Sequence, residues 1–159
     1  MISKNWFAMV FALASSLPSL SRAQVTYEFV NGAICTPALA PDASKLQNNT
    51  YGVSNITTTQ AAVLCPVGNM SKVGPVRATV YDRNSGANQN VCCTVRTHSE
   101  TGATRWASNL ICTNGFGSDH MFIDFGTPSV GGILTATCTI PPRTPANGNS
   151  HIASFRFSK

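Results

Sequence analysis

The sequence lacks the patterns that mark several common protein classes. No apolar run reaches the roughly 20 residues that a membrane-spanning helix needs. Beyond residue 23, no window repeats its apolar residues with the 3.6-residue period of a helix. No C-x-x-C pair lies near a second such pair or near two histidines, so the usual zinc-site spacing is absent. We therefore predict no membrane span, no metal site and no cofactor.

Acidic residues are few, and their positions argue against a glycosidase. The six acidic residues are Glu28, Asp42, Asp82, Glu100, Asp119 and Asp124. Hydrolysis of a glycosidic bond needs two carboxyl groups that face one groove. Asp42, Asp82 and Glu100 fall where turns are expected, and we interpret them as solvated turn residues. No catalytic acid pair emerges from the remainder.

Histidine-based catalysis also finds little support. The three histidines are His98, His120 and His151, and no serine lies in a G-x-S-x-G elbow. Asp119 and His120 are neighbours on a predicted strand, so their side chains point to opposite faces. Nothing in the sequence brings His98 and His151 together as an acid–base pair. A small secreted hydrolase is accordingly the least supported function.

The positive charge is modest and dispersed. The full chain carries a formal net charge of +5, and Lys4 and Arg22 belong to the first 23 residues. The remaining nine basic side chains are spread singly along the chain, whereas a nucleic-acid reader would cluster them among aromatic residues. We predict no nucleic-acid partner and interpret the charge as solubility, or as weak attraction to an acidic envelope polymer.

The first residues have the pattern of a secretory signal peptide. Lys4 supplies a basic start, the apolar run Trp6–Leu13 follows, and Ser21-Arg22-Ala23 forms a small-x-small end. We predict cleavage after Ala23 and a single domain over residues 24–159. The even number of cysteines, six, agrees with an oxidising destination. The predicted localisation is secreted, either extracellular or periplasmic.

Short strands separated by turn residues predict an all-β fold. Alternation of apolar and polar residues, bounded by Gly, Pro, Asn and Asp, recurs about every 8–12 residues. The predicted strands include Gln24–Val30, Thr57–Cys65, Val76–Tyr81, Asp119–Phe125, Ile133–Ile140 and His151–Ser158. We expect Pro66 to stop the second of these strands. The fold class predicted is an antiparallel β-sandwich or a jelly-roll-like fold, stabilised by disulfides.

A hairpin with twin cysteines lies at the centre of this prediction. Residues 91–113 fold back about a turn at Glu100–Ala103, and side-chain alternation puts Cys92 and Cys93 on opposite faces. If the turn is centred between Gly102 and Ala103, Cys93 lies opposite Cys112 and within reach of a disulfide. Cys92 would then reach one of the other cysteines, which are Cys35, Cys65 and Cys138. Six cysteines allow 15 connectivities, and a buried free thiol is the alternative.

Four aromatic residues are candidates for a binding site. Trp106, the only tryptophan beyond the leader, could stack on a sugar ring, although a core position in a sandwich strand is the stronger interpretation. Tyr51, Tyr81 and Phe116 lie at predicted strand or loop ends and are secondary candidates. Any of them could contact a polysaccharide or a surface protein.

Five short motifs give the sequence a resemblance to a group of known proteins. In chain order they are Cys65-Pro66-Val67, Val80–Asn84, Cys93-Thr94, Cys138–Pro142 and His151–Phe157. With this order the chain resembles small secreted proteins of Gram-negative bacteria that have no assigned activity. The resemblance implies a compartment and a β fold but no site. It also makes Cys92 and Cys112 additions to four more usual cysteines, which implies that the two pair with each other or lie one strand apart.

Together these observations favour a non-enzymatic secreted binding module. Its expected partner is a cell-surface polymer or another protein. The main alternative is a structural coat or fimbria-like subunit that assembles by strand exchange, with Gln24–Val30 as the donor strand.

Overall fold

The computed structural model describes residues 26–71, 74–84, 89–114, 121–146 and 148–158. The predicted leader and the candidates Phe116, Asp119 and His120 lie outside these ranges. The described residues form twelve strands. They are β1 (Tyr27–Asn31), β2 (Thr36–Pro37), β3 (Leu46–Asn49), β4 (Gly52–Asn55), β5 (Ala61–Met70), β6 (Arg77–Tyr81), β7 (Cys92–His98), β8 (Thr104–Ala107), β9 (Ile111–Cys112), β10 (Met121–Asp124), β11 (Gly132–Ile140) and β12 (His151–Ser158). Two short 3₁₀ helices cover Gly32–Ile34 and Ala40–Lys45, and no helix within the described ranges is long and apolar enough to cross a membrane.

The strands form two antiparallel sheets, which confirms the predicted all-β sandwich. The first sheet has the order β10-β6-β12-β4-β3, and β1 also pairs with β12. The second sheet has the order β2-β5-β11-β7-β8, and β9 also pairs with β7. Neighbours in each sheet are often distant in the chain, as where β12 lies between β6 and β4.

One hydrophobic core joins the two sheets. It is built from the inward side of each strand, so Ala78 and Val80 on β6 are buried while Arg77, Thr79 and Tyr81 are not. Phe155 and Phe157 of β12 are fully buried and are the largest buried side chains. Phe157 reaches the second sheet at Gly68, where an added Cβ would lie 2.8 Å from its ring. The absence of a side chain at Gly68 therefore makes room for this contact between the layers.

Pro66 does not end its strand, contrary to the sequence prediction. Strand β5 continues through Pro66 to Met70. The neighbouring strand β2 pairs only with Leu64 and Val63, and on the other side the register with β11 shifts between Gly68 and Pro66. A proline at such an irregular position forfeits no regular ladder hydrogen bond.

The faces of β12 also differ from those that simple alternation predicts. Simple alternation places Ile152 with Ser154 and Arg156, yet Ile152 is buried together with Phe155. The register with β6 shifts between Ile152 and Ser154. A bulge inserts one extra residue, so the side chains before and after it exchange faces.

The predicted Cys93–Cys112 disulfide is wrong. The disulfides join Cys35 to Cys65, Cys92 to Cys112 and Cys93 to Cys138. The hairpin turns within the predicted segment, but His98 pairs with Thr104, so the turn is centred at Thr101 and not between Gly102 and Ala103. Register shifts farther along the hairpin then put Cys92 opposite Cys112. Cys93 instead faces Cys138 on β11. A slip of one residue reverses the side of every side chain, and the observed Cys92–Cys112 pair is one of the arrangements that the resemblance implies.

Two of the acids interpreted as solvated turn residues are buried. Asp42 pairs with Lys45 at 2.9 Å and is 5% exposed. The fully buried carboxylate of Asp82 accepts hydrogen bonds from the N–H groups of Asn84 and Val91 and from the hydroxyls of Thr113 and Ser150. These donors replace water, which is what a buried carboxylate requires.

The predicted donor strand lies within the chain's own sheet. β1 pairs with β12 over its full length, from Tyr27 opposite Ser158 to Asn31 opposite Ser154. Strand exchange would therefore have to displace a strand that is already paired, and it stays a prediction.

Candidate functional site

The outer side of the first sheet carries the exposed side chains that alternate with the core. Registers across β10, β6, β12 and β1 place these side chains in two neighbouring rows. The first row reads Asp124, Arg77, Arg156, Phe29, and the second reads Phe122, Thr79, Ser154, Asn31. Adjacent strands are about 4.8 Å apart, so each row spans about 14 Å.

Large apolar side chains stand out in this part of the sheet. Phe29 is 68% exposed and Phe122 is 62% exposed, although both lie on regular strands. Tyr27, beside them on β1, is also exposed. We call this surface the aromatic face, defined by Tyr27, Phe29, Arg77, Thr79, Tyr81, Phe122, Asp124, Ser154 and Arg156. Exposed aromatic side chains that share one face indicate a contact surface.

Three arginines stack on rings of the aromatic face. The guanidinium carbon of Arg77 lies 5.2 Å from the centre of the Phe122 ring, and that of Arg156 lies 4.7 Å from the Tyr27 ring. Just beyond β6, the Arg83 guanidinium lies 5.7 Å from the Tyr81 ring. These distances are those of cation–π contacts, which fix both the cation and the ring.

Asp124 fixes the position of Arg77. Its carboxylate accepts a hydrogen bond of 2.8 Å from the Arg77 guanidinium and one of 3.0 Å from the N–H of Gly126. The hydrogen bond from Arg77 is the main reason that the pKa of Asp124 lies below its ordinary value, and the Gly126 hydrogen bond is the second. The carboxylate therefore stays charged and keeps Arg77 over Phe122 in mildly acidic solution.

One of the predicted candidates belongs to this face. Tyr81 points outward at the end of β6, and its ring stacks on that of His151 with 4.3 Å between the ring centres. Tyr51 is exposed in the turn between β3 and β4, and this turn is held to the end of β1 by a 3.0 Å hydrogen bond from Asn31 to the carbonyl of Thr50. Tyr51 therefore lies near one corner of the aromatic face.

Trp106 lies in the other sheet. Trp106 is on β8, opposite Thr97 of β7, and its half-buried side chain packs against the core. The structure thus separates Trp106 from Tyr81 and from the exposed phenylalanines. A role for Trp106 in ligand binding stays a prediction.

The histidines within the described ranges have polar or aromatic neighbours. His98 Nε2 lies 2.9 Å from the Thr135 hydroxyl, and His151 stacks on Tyr81. Among the described residues, no group of three His, Cys, Asp or Glu side chains is placed to hold a metal ion.

A polar cleft at the β7–β8 turn is the other candidate surface. Its volume is about 390 Å³, and its lining includes His98, Glu100 and Arg105. None of the described residues that line it is a phenylalanine, tyrosine or tryptophan. The aromatic face is therefore the surface that combines exposed rings with polar groups.

Sequence reasoning missed Tyr27, Phe29 and Phe122 as candidate site residues. The signal was present for Phe122, because alternation places it with Asp124 on the polar side of its strand. On β1 the alternation puts Tyr27 and Phe29 on one side but does not say which side is outward, since Val30 lies on the other.

No protein-family model matches the chain, and no curated protein matches it. Among solved structures, the fold is similar to the C-terminal CBM6 of LamC, a marine laminarinase from Zobellia galactanivorans, with a TM-score of 0.50 and 12% identity over 84% of this chain and 100% of that one. It is also similar to the CBM36-1 domain of a multidomain xylanase from the hindgut metagenome of Trinervitermes trinervoides, with a TM-score of 0.46 and 7% identity over 84% of this chain and 98% of that one. These neighbours are carbohydrate-binding modules, and at such identities the likeness concerns the fold alone.

Proposed function

We propose that this chain is a secreted, non-enzymatic glycan-binding module that holds a polysaccharide on the aromatic face. The observation that carries the proposal is the outward position of Phe29 and Phe122 on regular strands of one sheet. Exposed apolar side chains of this size that share one face of a sheet mark an interaction surface.

The chemistry of the aromatic face fits a sugar chain. A pyranose ring has an apolar C–H side that can stack on an aromatic ring, and hydroxyls around its edge that need hydrogen bonds. The hydroxyls of Thr79 and Ser154 lie between the exposed rings, and Arg77 and Arg156 offer N–H donors beside them. The surface thus presents apolar and polar groups in alternation, as a polysaccharide does.

A secreted location is supported by the disulfides. All six cysteines are paired, so the described domain has no free thiol. Disulfides of this kind form and persist outside the cytosol, where extracellular polysaccharides are found. The signal peptide predicted from the sequence agrees with this location.

The test is sedimentation of the oxidised protein with insoluble polysaccharides and with peptidoglycan. We expect the wild-type protein to sediment with at least one polymer, and the double variant Phe29→Ala/Phe122→Ala to lose at least about tenfold in affinity, because each ring contributes about 1 kcal/mol or more. The matched control is Leu39→Ala/Leu110→Ala, which removes two apolar side chains that are each 65% exposed and lie outside the aromatic face.

Circular dichroism and thermal unfolding establish that each variant folds. Binding that is equal in the two double variants would place the ligand elsewhere and contradict the proposal. Failure of the wild-type protein to bind any polymer would turn attention to a protein partner for the same face.

A further inference from the structure

The two arginines in the first row of the aromatic face lie directly opposite each other. Arg77 on β6 is paired in register with Arg156 on β12. Like charges at directly opposed positions destabilise a sheet. The side chains diverge, because Arg77 stacks on Phe122 at one side of the face and Arg156 on Tyr27 at the other. The two guanidinium groups therefore lie toward opposite edges of the face.

The positive charge of this face is only partly balanced. The ion pairs among the described residues are Lys45–Asp42 and Arg77–Asp124, so Arg156 has no carboxylate partner there. Glu28, the acid on β1, alternates to the side opposite Tyr27 and Phe29. Arg83 over Tyr81 adds a further cation beside the face. Within the part of the chain that the structure describes, one carboxylate therefore accompanies three guanidinium groups.

A guanidinium group that lies over a ring can bind an oxyanion at its edge. Stacking occupies its flat side and leaves the N–H groups at its edge, where they can donate two parallel hydrogen bonds to a carboxylate or sulfate. An anionic group on a sugar chain that crosses the face would meet Arg156 in this way, since Arg77 already donates to Asp124.

We infer that the aromatic face selects a polysaccharide whose sugar rings carry anionic groups, either uronate carboxylates or sulfates. The inference rests on the proposed function and names its substrate class. Single-stranded nucleic acid also combines rings with negative charge, but three arginines, of which one is neutralised by Asp124, are few for tracking a phosphate backbone.

The test compares each anionic polymer with a neutral form of the same backbone. The pairs are polygalacturonate with its methyl ester, and dextran sulfate with dextran, measured by isothermal titration calorimetry on the wild-type protein. We expect at least one anionic form to bind about tenfold more tightly than its neutral form, as the loss of one charge-assisted hydrogen bond would predict. The polymer pair that shows this difference in affinity identifies carboxylate or sulfate as the anion.

The variant Arg156→Gln should lower affinity for the preferred anionic polymer by about tenfold and leave affinity for its neutral form unchanged. Arg105→Gln is the matched control, because it removes the same charge from an exposed position on β8 in the second sheet. Arg156→Lys should recover only part of the loss, since an ammonium group lacks the planar fork.

The outcomes separate this inference from the proposed function. The charged and neutral forms could bind with equal affinity, and Phe29→Ala/Phe122→Ala could remove that binding. This result would overturn the anion preference and leave a neutral-glycan site. Oligo(dT) or poly-L-glutamate bound as tightly as the best polysaccharide would overturn it in favour of a general polyanion surface. No binding to any polysaccharide would contradict both the anion preference and the proposed function.

Discussion

Asp124 shows how a single residue can set the geometry of the candidate site. It binds Arg77 at 2.8 Å, and Arg77 in turn lies over the exposed Phe122 ring. Because the pKa of Asp124 is lowered in the folded protein, its charged form contributes stability above the unfolded pKa of about 3.9. That contribution is lost as the pH falls through the lower folded pKa.

We predict that Arg77→Gln raises the pKa of Asp124 toward the unfolded value. The main hydrogen bond that favours the carboxylate is then absent, while the Gly126 N–H still donates. Carbon-13 NMR of the Asp124 carboxyl group, followed during an acid titration, measures the change. Arg156→Gln serves as the control, since Arg156 acts on Asp124 only through a weaker charge interaction, and its titration curve should move less. An unchanged curve in Arg77→Gln would contradict the account.

At the level of residues, the sequence indicated which side chains could bind a ligand better than it indicated which of them are exposed or buried. Tyr81 was identified as a candidate and lies on the aromatic face, but Phe29 and Phe122 were missed. Asp82 was expected in solvent, yet distant donors such as Ser150 surround it. Its burial depends on contacts between segments far apart in the chain, which local turn patterns do not contain.

At the level of elements, period-two alternation predicted most of the strands. It failed at the bulge after Ile152 on β12, where the backbone departs from a regular ladder. The expectation that Pro66 ends β5 failed at a similar register shift. The wrong cysteine pairing has a second cause, because the turn is centred at Thr101 and not between Gly102 and Ala103. A bulge is set by the fit of a strand to its partners, which the sequence of one strand does not reveal.

Gly68 provides a prediction at this scale. Gly68→Ala should lower the free energy of unfolding by about 1–3 kcal/mol more than Gly102→Ala does, because the new methyl group would meet the Phe157 ring. Both glycines have positive φ, but a Cβ at Gly102 has no neighbouring atom within 4 Å. Urea unfolding of the two variants isolates the contact between the sheets. Equal losses would show that the ring contact contributes nothing.

At the level of the whole molecule, the disulfides and the candidate site occupy different sheets. Cys65, Cys92, Cys93, Cys112 and Cys138 all lie on strands of the second sheet, and Cys35 precedes its strand β2. The aromatic face belongs to the first sheet. The sequence predicted the sandwich and its cysteine staples, but the order of strands within each sheet depends on long-range pairing and could not be deduced from it.

Mild reduction should therefore leave glycan binding intact. Cys112 is exposed, whereas the cysteines of the other two disulfides are at most 1% exposed, so Cys92–Cys112 should open first. Its loss should lower stability by about 3 kcal/mol, as expected for a loop of about 20 residues. Alkylation and mass spectrometry identify the opened pair, and thermal unfolding gives the loss. Initial labelling of Cys93 or Cys138 would be inconsistent with the observed burial.

The proposed function requires the outer face of the first sheet to bind the glycan. The most direct measurement is an NMR titration of the oxidised protein with an oligosaccharide cut from the polymer that binds in the sedimentation assay. We expect shift changes at the rings of Phe29 and Phe122 and at the amides of Arg77 and Thr79, with the Trp106 indole unchanged. Changes confined to Trp106 and the β7–β8 hairpin, with the two phenylalanines unaffected, would contradict it.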